Sequence, residues 1–260
     1  MRTLERETTD STMLDARRAI ERERLRELTV FVATTQTGGV GRFGRSWSSP
    51  SGGLWMTLAM PVEGDALPGM LDGMGLRVGI AATETIASEL RTLRAELGGS
   101  DAGPSTPSPN VTLKWPNDVL LNGKKVGGIL IEVVRAHEAP HVLIGVGVNA
   151  NFSSRELPEE VRERATTVIA ELGAPVSLEK LRDGMAKALF AAAARKGLTS
   201  DTLARARGLL AGVNEPVRIA LANAREPIEG TLLGLSDRGN PLVMTARGEV
   251  EAPSGSEMGS

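Results

Sequence analysis

The stretch Gly38 to Trp47, GGVGRFGRSW, narrows the fold more than any other, because it satisfies two phosphate-loop patterns and the residues after it exclude both. It follows the apolar run TVFVATT, Thr29 to Thr35. Gly39, Gly41 and Gly44 fit the G-x-G-x-x-G of a dinucleotide fold, and Gly39 to Ser46 would fit a Walker A loop if Arg45 were lysine. Either motif must open a helix whose N-terminal amides hold the phosphate. Here the chain continues RSWSSPSGGLWMTLAMP, in which Pro50, Gly52 and Gly53 block a helix and the next regular element is a strand closed by Pro61. The acidic residue that a dinucleotide fold carries about 20 residues on, at the tip of a second parallel strand, is also missing. What remains is a glycine-rich loop with Arg42 and Arg45 flanking Phe43 and Gly44, guanidinium groups on deformable backbone that can wrap an anion. A flexible loop with no ligand is the plain alternative.

The rest of the chain supplies an ordinary globular body. Its 260 residues suffice for one large domain with a small appendage, and 41% hydrophobic residues against 24% charged fit a soluble protein. A net charge of −2 gives no global pull toward nucleic acid or anionic lipid, so an anion must be met by a local cluster of cations. With no cysteine, disulfides, thiolate metal sites and cysteine nucleophiles are excluded. The two histidines, His137 and His141, flank a hairpin turn and read as solvated loop residues. The charged N-terminus has no apolar signal-like core and no segment is apolar over the roughly 18 residues of a membrane span, which places the protein in the cytoplasm.

The first element read is an amphipathic helix over Thr12 to Leu28, with Asp10, Ser11 or Thr12 as its cap. A long helix carries Ile86, Leu90, Leu93 and Leu97 on one stripe and ends at Gly98. Residues 98–110 are small, polar or turn-forming and read as a flexible surface loop. VTLKWPNDVLLNGKKVGGILIEVV and HVLIGVGVNANF form a sheet region with a hairpin turn at Asn122-Gly123. A helix follows Ser177, with Leu178, Leu181, Met185 and Ala188 on one face, and another spans Asp201 to Leu210. Short strands after Glu215 suggest a small β-barrel, and PSGSEMGS a disordered tail.

A second polar cluster lies in KWPNDVLLNGKKVGGILIE. A two-residue turn at Asn122-Gly123 sets its flanks side by side, so the Asp118 carboxylate and the Lys125 ammonium can face one pocket. Gly127 and Gly128 leave room there for a group to lie against the backbone. Lys114 and Lys124 read as solvated lysines and Trp115 as core.

GGVGRFGRSWSSPSGGLW, KWPND, KKVGGILIE and IGVGVNANF, in that order and spacing, closely resemble the motifs of the biotin protein ligases. These are G-R-G-R-x-G-R followed by tryptophan, K-W-P-N-D, K-hydrophobic-A/G-G-I-L-hydrophobic-E, and G-x-G-x-N. The resemblance covers Ser11 to Asn151. It implies an α/β (α+β) fold: a seven-stranded mixed sheet with helices, of the class II aminoacyl-tRNA-synthetase type, over residues 1–212. An SH3-like barrel over 213–252 and a tail over 253–260 complete it. It also implies the two-step reaction in which biotin and ATP give biotinyl-5′-adenylate and pyrophosphate, after which a lysine of a biotin carboxyl carrier domain is acylated. Only ten residues precede Ser11, which implies the monofunctional type without an N-terminal DNA-binding domain; whether the ligase forms a homodimer stays open.

Carried over residue by residue, the resemblance makes Arg42, Lys125 and Asp118 the catalytic set. Ser11, Thr12, Gln36, Gly39, Val40 and Gly41 surround biotin, together with Arg42, Lys125 and Gly128. Arg42, Arg45, Trp47, Asn117, Lys125 and Asn149 meet the nucleotide, and Asp118 with Asn149 would hold Mg²⁺. The segment 153–176 is expected near adenine. Three features depart from the pattern: the first arginine of G-R-G-R is Val40, the asparagine usual after Ser-Thr is Met13, and the loop over 98–110 is unusually long. A lipoate-protein ligase shares the acyl-adenylate logic, and a non-catalytic biotin sensor would fit the charge lost at Val40; K-W-P-N-D and K-K-V-G-G favour biotin.

Overall fold

A computed structural model describes residues 1–23, 25–97, 109–136, 139–221 and 226–259. The main sheet has seven strands: β1 (Arg2–Thr9), β2 (Thr29–Gln36), β3 (Leu54–Pro61), β4 (Val111–Lys114), β5 (Asp118–Leu121), β6 (Lys124–Ala136) and β7 (Ala139–Val148), in the order β1-β2-β3-β7-β6-β5-β4. Only β1 and β2 run parallel; every other pair is antiparallel, so the sheet is mixed, as expected. The helices are α1 (Thr12–Glu23), α2 (Leu67–Leu71), α3 (Met74–Leu97), α4 (Val168–Leu172), α5 (Leu178–Ala193) and α6 (Ser200–Leu209).

The period-two alternation of the central strands divides the sheet into two faces. Met56 and Leu58 of β3 and Ile144 and Val146 of β7 point to a core shared with Val78 and Ile86 of α3 and Leu181 and Met185 of α5. Their neighbours Ala59 and Leu143 point the other way, onto Ala16 and Ile20 of α1. One face is thus closed by two long helices, while α1 covers only part of the other. The uncovered remainder of that face forms the floor of a cleft.

After α6 the strands β8 (Pro216–Ala220), β9 (Ile228–Leu235), β10 (Pro241–Thr245), β11 (Gly248–Glu251) and β12 (Glu257–Met258) form a second, five-stranded antiparallel sheet in the order β11-β10-β9-β8-β12.

Several sequence expectations need correction. The first helix stops at Glu23 rather than Leu28, because Leu25 turns into the α1 core and Thr29 already belongs to β2. A strand, β1, precedes it; its alternating charges conceal it, since as an edge strand it needs burial on neither face. The tail is not disordered up to Gly259: Glu257 and Met258 pair with Ala220 and Ile219, and Gly259 N–H donates to the Arg218 carbonyl. His141 is no loop residue but lies in β7, 4% exposed, with its Nε2 2.7 Å from the Leu25 carbonyl oxygen. The loop read over 98–110 falls outside the described residues except for its last two, and His137 lies outside them as well.

Candidate functional site

The glycine stretch folds as a small hairpin. Trp47 N–H donates to the Gly39 carbonyl and Gly41 N–H to the Arg45 carbonyl, with Val40 opposite Ser46. Phe43 and Gly44 turn the tip with φ of 57° and 73°. At Gly39 a side chain is impossible, since a Cβ would lie 2.5 Å from the Trp47 carbonyl oxygen. At the tip the Phe43 ring is 64% exposed, with the guanidinium carbons of Arg42 and Arg45 at 5.0 and 5.8 Å from its centroid. The two arginines reach toward the C-terminal segment: Arg42 donates to the Asn117 side chain and to the carbonyls of Gly255 and Ser256, and Arg45 pairs with Glu257. Burial lowers the pKa of Arg42.

The far wall of the cleft comes from the hairpin β5–β6. Its turn, Asn122-Gly123, has positive φ at both residues, as the sequence predicts. Beyond the turn, Leu120 opposes Lys125 while Val119 opposes Gly127, so Val126 is an extra residue, a β-bulge. Without it Lys125 would share the face of Gly127, which looks into the core toward Ile86. The bulge turns Lys125 onto the face of Asp118 and Gly128 instead, and its Nζ lies 2.7 Å from Asp118 Oδ1. Of the two glycines read as leaving room for a ligand, only Gly128 opens on the cleft.

Gly128 and Gly147 form the cleft floor, and the Trp47 indole lies on it: a Cβ on either glycine would come within 3.0 Å of the ring. The Lys125 ammonium is 5.0 Å from the indole centroid. Trp47 Nε1 is buried without an acceptor, and the side-chain oxygen of Asn149 is buried without a donor, while its nitrogen donates to the Thr166 carbonyl. The near wall is polar and fixed. Gln36 Oε1 accepts from Thr12 N–H at 2.8 Å, its Nε2 donates to Ser49 at 2.8 Å, and Thr12 Oγ1 meets Thr57 Oγ1. Ser11 is buried beside them.

Every residue named from the sequence for the site, from Ser11 to Asn149, lines this one cleft of about 1620 Å³. That volume exceeds the usual range for a single small ligand and leaves room for two. Sequence reasoning missed three contributors. Lys114, read as solvated, is half-buried in the cleft. Ser49 anchors Gln36, and Glu257 comes from a segment read as disordered. The 153–176 segment is present through Leu157 to Ala165, with Lys125 N–H bound to the Arg164 carbonyl at 2.8 Å. Val40, where the family motif has arginine, is 43% exposed at the rim.

Known proteins share both sequence and shape with this arrangement. The biotin--[acetyl-CoA-carboxylase] ligase of Mycobacterium tuberculosis is 32% identical over 217 residues, 81% of this chain and 71% of that one. The bifunctional ligase/repressor BirA of Bacillus spizizenii is 35% identical over 144 residues, and that of Bacillus subtilis 34% over 151; the chain spans only 38% and 40% of their lengths. Among solved structures, the biotin protein ligase from Aquifex aeolicus in complex with biotin and ATP superposes with a TM-score of 0.77 at 25% identity, over 99% of this chain and 97% of that one. The sequence profile of the biotin/lipoate A/B protein ligases matches residues 6–149, a span that holds the glycine hairpin, the bulged strand and the cleft floor, and the chain belongs to that family.

Proposed function

We propose that the protein is an ATP-dependent biotin protein ligase, which activates biotin to biotinyl-5′-AMP and passes it to a lysine of a biotin carboxyl carrier domain. The observation that carries this reading is the bulge at Val126, which delivers Lys125 to Asp118 at the glycine floor of a cleft whose mouth holds Arg42 and Arg45. A carboxylate attacking the α-phosphate of ATP brings two anions together, and fixed cations offset their repulsion as charge builds on the phosphorus oxygens. Lys125 and Arg42 take that role. Thr12, Gln36 and Ser11, with the backbone around Gly39 and Gly41, offer the donors and acceptors that a ureido ring requires, and Val40 lies at the rim where the hairpin closes over it. Trp47, Asn117 and Asn149 line the nucleotide side with Arg45.

Asp118 and Asn149 suit a Mg²⁺ that arrives on the nucleotide rather than a resident ion. The Asn149 oxygen is buried and unpartnered, Asp118 faces the cleft, and among the described residues no group of three His, Cys, Asp or Glu side chains could hold a metal. When bound, the ion would neutralise phosphate charge. In the second step Asp118 is the carboxylate beside the acceptor amine, positioned to take its proton. Residues 1–212 would bind both substrates, and the second sheet, which runs from Pro216 to Met258, would meet the carrier. Among the described residues no helix is long and apolar enough to cross a membrane, in keeping with a cytoplasmic enzyme.

Pyrophosphate release tests the reading. Wild-type protein with ATP should release pyrophosphate on addition of biotin and not of lipoate. Release with lipoate alone would make it a lipoate ligase, and biotin binding without release would make it a sensor.

A further inference from the structure

Six cationic residues line the cleft among the described residues: Arg42, Arg45, Lys114, Lys124, Lys125 and Arg164. Lys125 pairs with Asp118, Arg45 with Glu257, and Arg42 with Asn117 and two backbone carbonyls. Among the described residues the side chain of Lys114, at the end of β4, has no hydrogen bond and no ion pair within 4 Å, and unlike Lys124, which is exposed, it is drawn away from water. It is half-buried, and its pKa is lowered chiefly by desolvation, with Lys125 and Arg164 adding repulsion against the attraction of Asp118 and Glu257. An ammonium withdrawn from water without a partner is unfavourable unless an anion completes it.

Its position tells which anion. Lys114 stands directly opposite Asp118 in the β4–β5 ladder, so both side chains rise from one face of the sheet. The sequence Gly128, Asp118, Lys114 crosses three neighbouring strands from the cleft floor to the edge, each step being about 4.8 Å. A polyphosphate whose α-phosphorus lies beside Lys125 meets the Lys114 ammonium if it runs outward toward β4.

We infer that Lys114 binds the β- and γ-phosphates of ATP and receives the departing pyrophosphate, an assignment that rests on the ligase reading above. In that step a biotin carboxylate oxygen bonds to the α-phosphorus. The bond from that phosphorus to the β-bridging oxygen breaks, and its electron pair stays on the oxygen that leaves with pyrophosphate. Negative charge thus grows at the leaving oxygen, where a poorly solvated ammonium acts most strongly. The second step expels AMP after pyrophosphate has gone, so it makes no use of Lys114.

The two steps separate the assignment from a general structural role. In single turnover with ATP and biotin, Lys114→Met should form pyrophosphate about 100-fold more slowly than wild type. Transfer from chemically prepared biotinyl-adenylate to hydroxylamine, read as the hydroxamate, should fall at least ten times less. Lys114→Arg, which keeps the charge, should recover most of the first step. Equal losses in both steps, or a silent Lys114→Met, overturn the inference. Calorimetric titration with inorganic pyrophosphate stands apart from turnover. Binding at least tenfold weaker in Lys114→Met supports the contact even if wild type activates no biotin, a result that would sink the ligase reading alone. Equal binding in the two proteins overturns the Lys114 assignment whatever the wild type catalyses.

Discussion

The guanidinium of Arg77, 4% exposed, donates to five backbone carbonyls, those of Met70, Asp72, Ala192, Arg195 and Gly197, and to no carboxylate. All five of its donors are used, and together they lace the ends of α2 and α5 to the start of α3. Lysine has three donors in a different geometry. Arg77→Lys should therefore lower stability by about 2 to 4 kcal/mol, read from the urea midpoint, because carbonyls are left unpaired and a buried charge loses partners. Nothing in MLDGMGLRVGI marks this arginine as buried; it reads as one more polar residue of an amphipathic helix. His141 was hidden for the same reason, since the carbonyl of Leu25 that fixes it is far away in sequence. The cleft residues were legible because motif spacing carries their identity. Lys114 stands inside such a motif and still read as solvated, since its exposure depends on how β4 faces the cleft.

At the scale of elements, the start of α1 depends on an ion pair. Asp10 accepts two bonds from Arg18 and one from Ser11 N–H, while its own carbonyl takes Gly38 N–H and so ties the glycine hairpin to the wall that carries Ser11 and Thr12. Hydrogen bonding from Arg18 holds the Asp10 carboxyl well below the usual carboxylate range. A depressed folded pKa means stability that is present above the unfolded value, about 3.9, and is lost as pH falls through the folded one. The melting temperature of wild type should exceed that of Asp10→Asn near pH 6, and the gap should close as the pH is taken toward about 2. The difference should be modest, because the carboxylate is 45% exposed and solvent screens the pair. Elements with strong local signals, such as α5 behind its Ser177 cap and the Asn122-Gly123 turn, were legible from sequence. The bulge was not. Its signal is one valine in an unbroken β-rich run, and only pairing with β5 makes Val126 the extra residue.

For the whole molecule, the second sheet is joined to the first by a common core. Leu76 and Ile80 of α3 and Leu113 and Trp115 from the β4 region pack with Ile219, Leu232 and Val243, and Trp115 Nε1 donates to the Gly239 carbonyl at 3.1 Å. The short strands and turn residues after Glu215 announced a small β unit but not which of its faces is covered, since that depends on a helix more than a hundred residues earlier. Within this body the three tryptophans sit in unlike surroundings. Trp55 donates to the Pro50 carbonyl and Trp115 to that of Gly239, so both indoles are pinned, while Trp47 lies on the glycine floor with its N–H unpaired and an ammonium 5.0 Å away. Anything that settles on Gly128 and Gly147 must displace that ring. The protein accordingly carries a built-in optical reporter: adding biotin should change the intensity and wavelength of its intrinsic fluorescence, and Trp47→Phe should abolish the change. If the signal persists in that variant, the indole is not what the ligand moves.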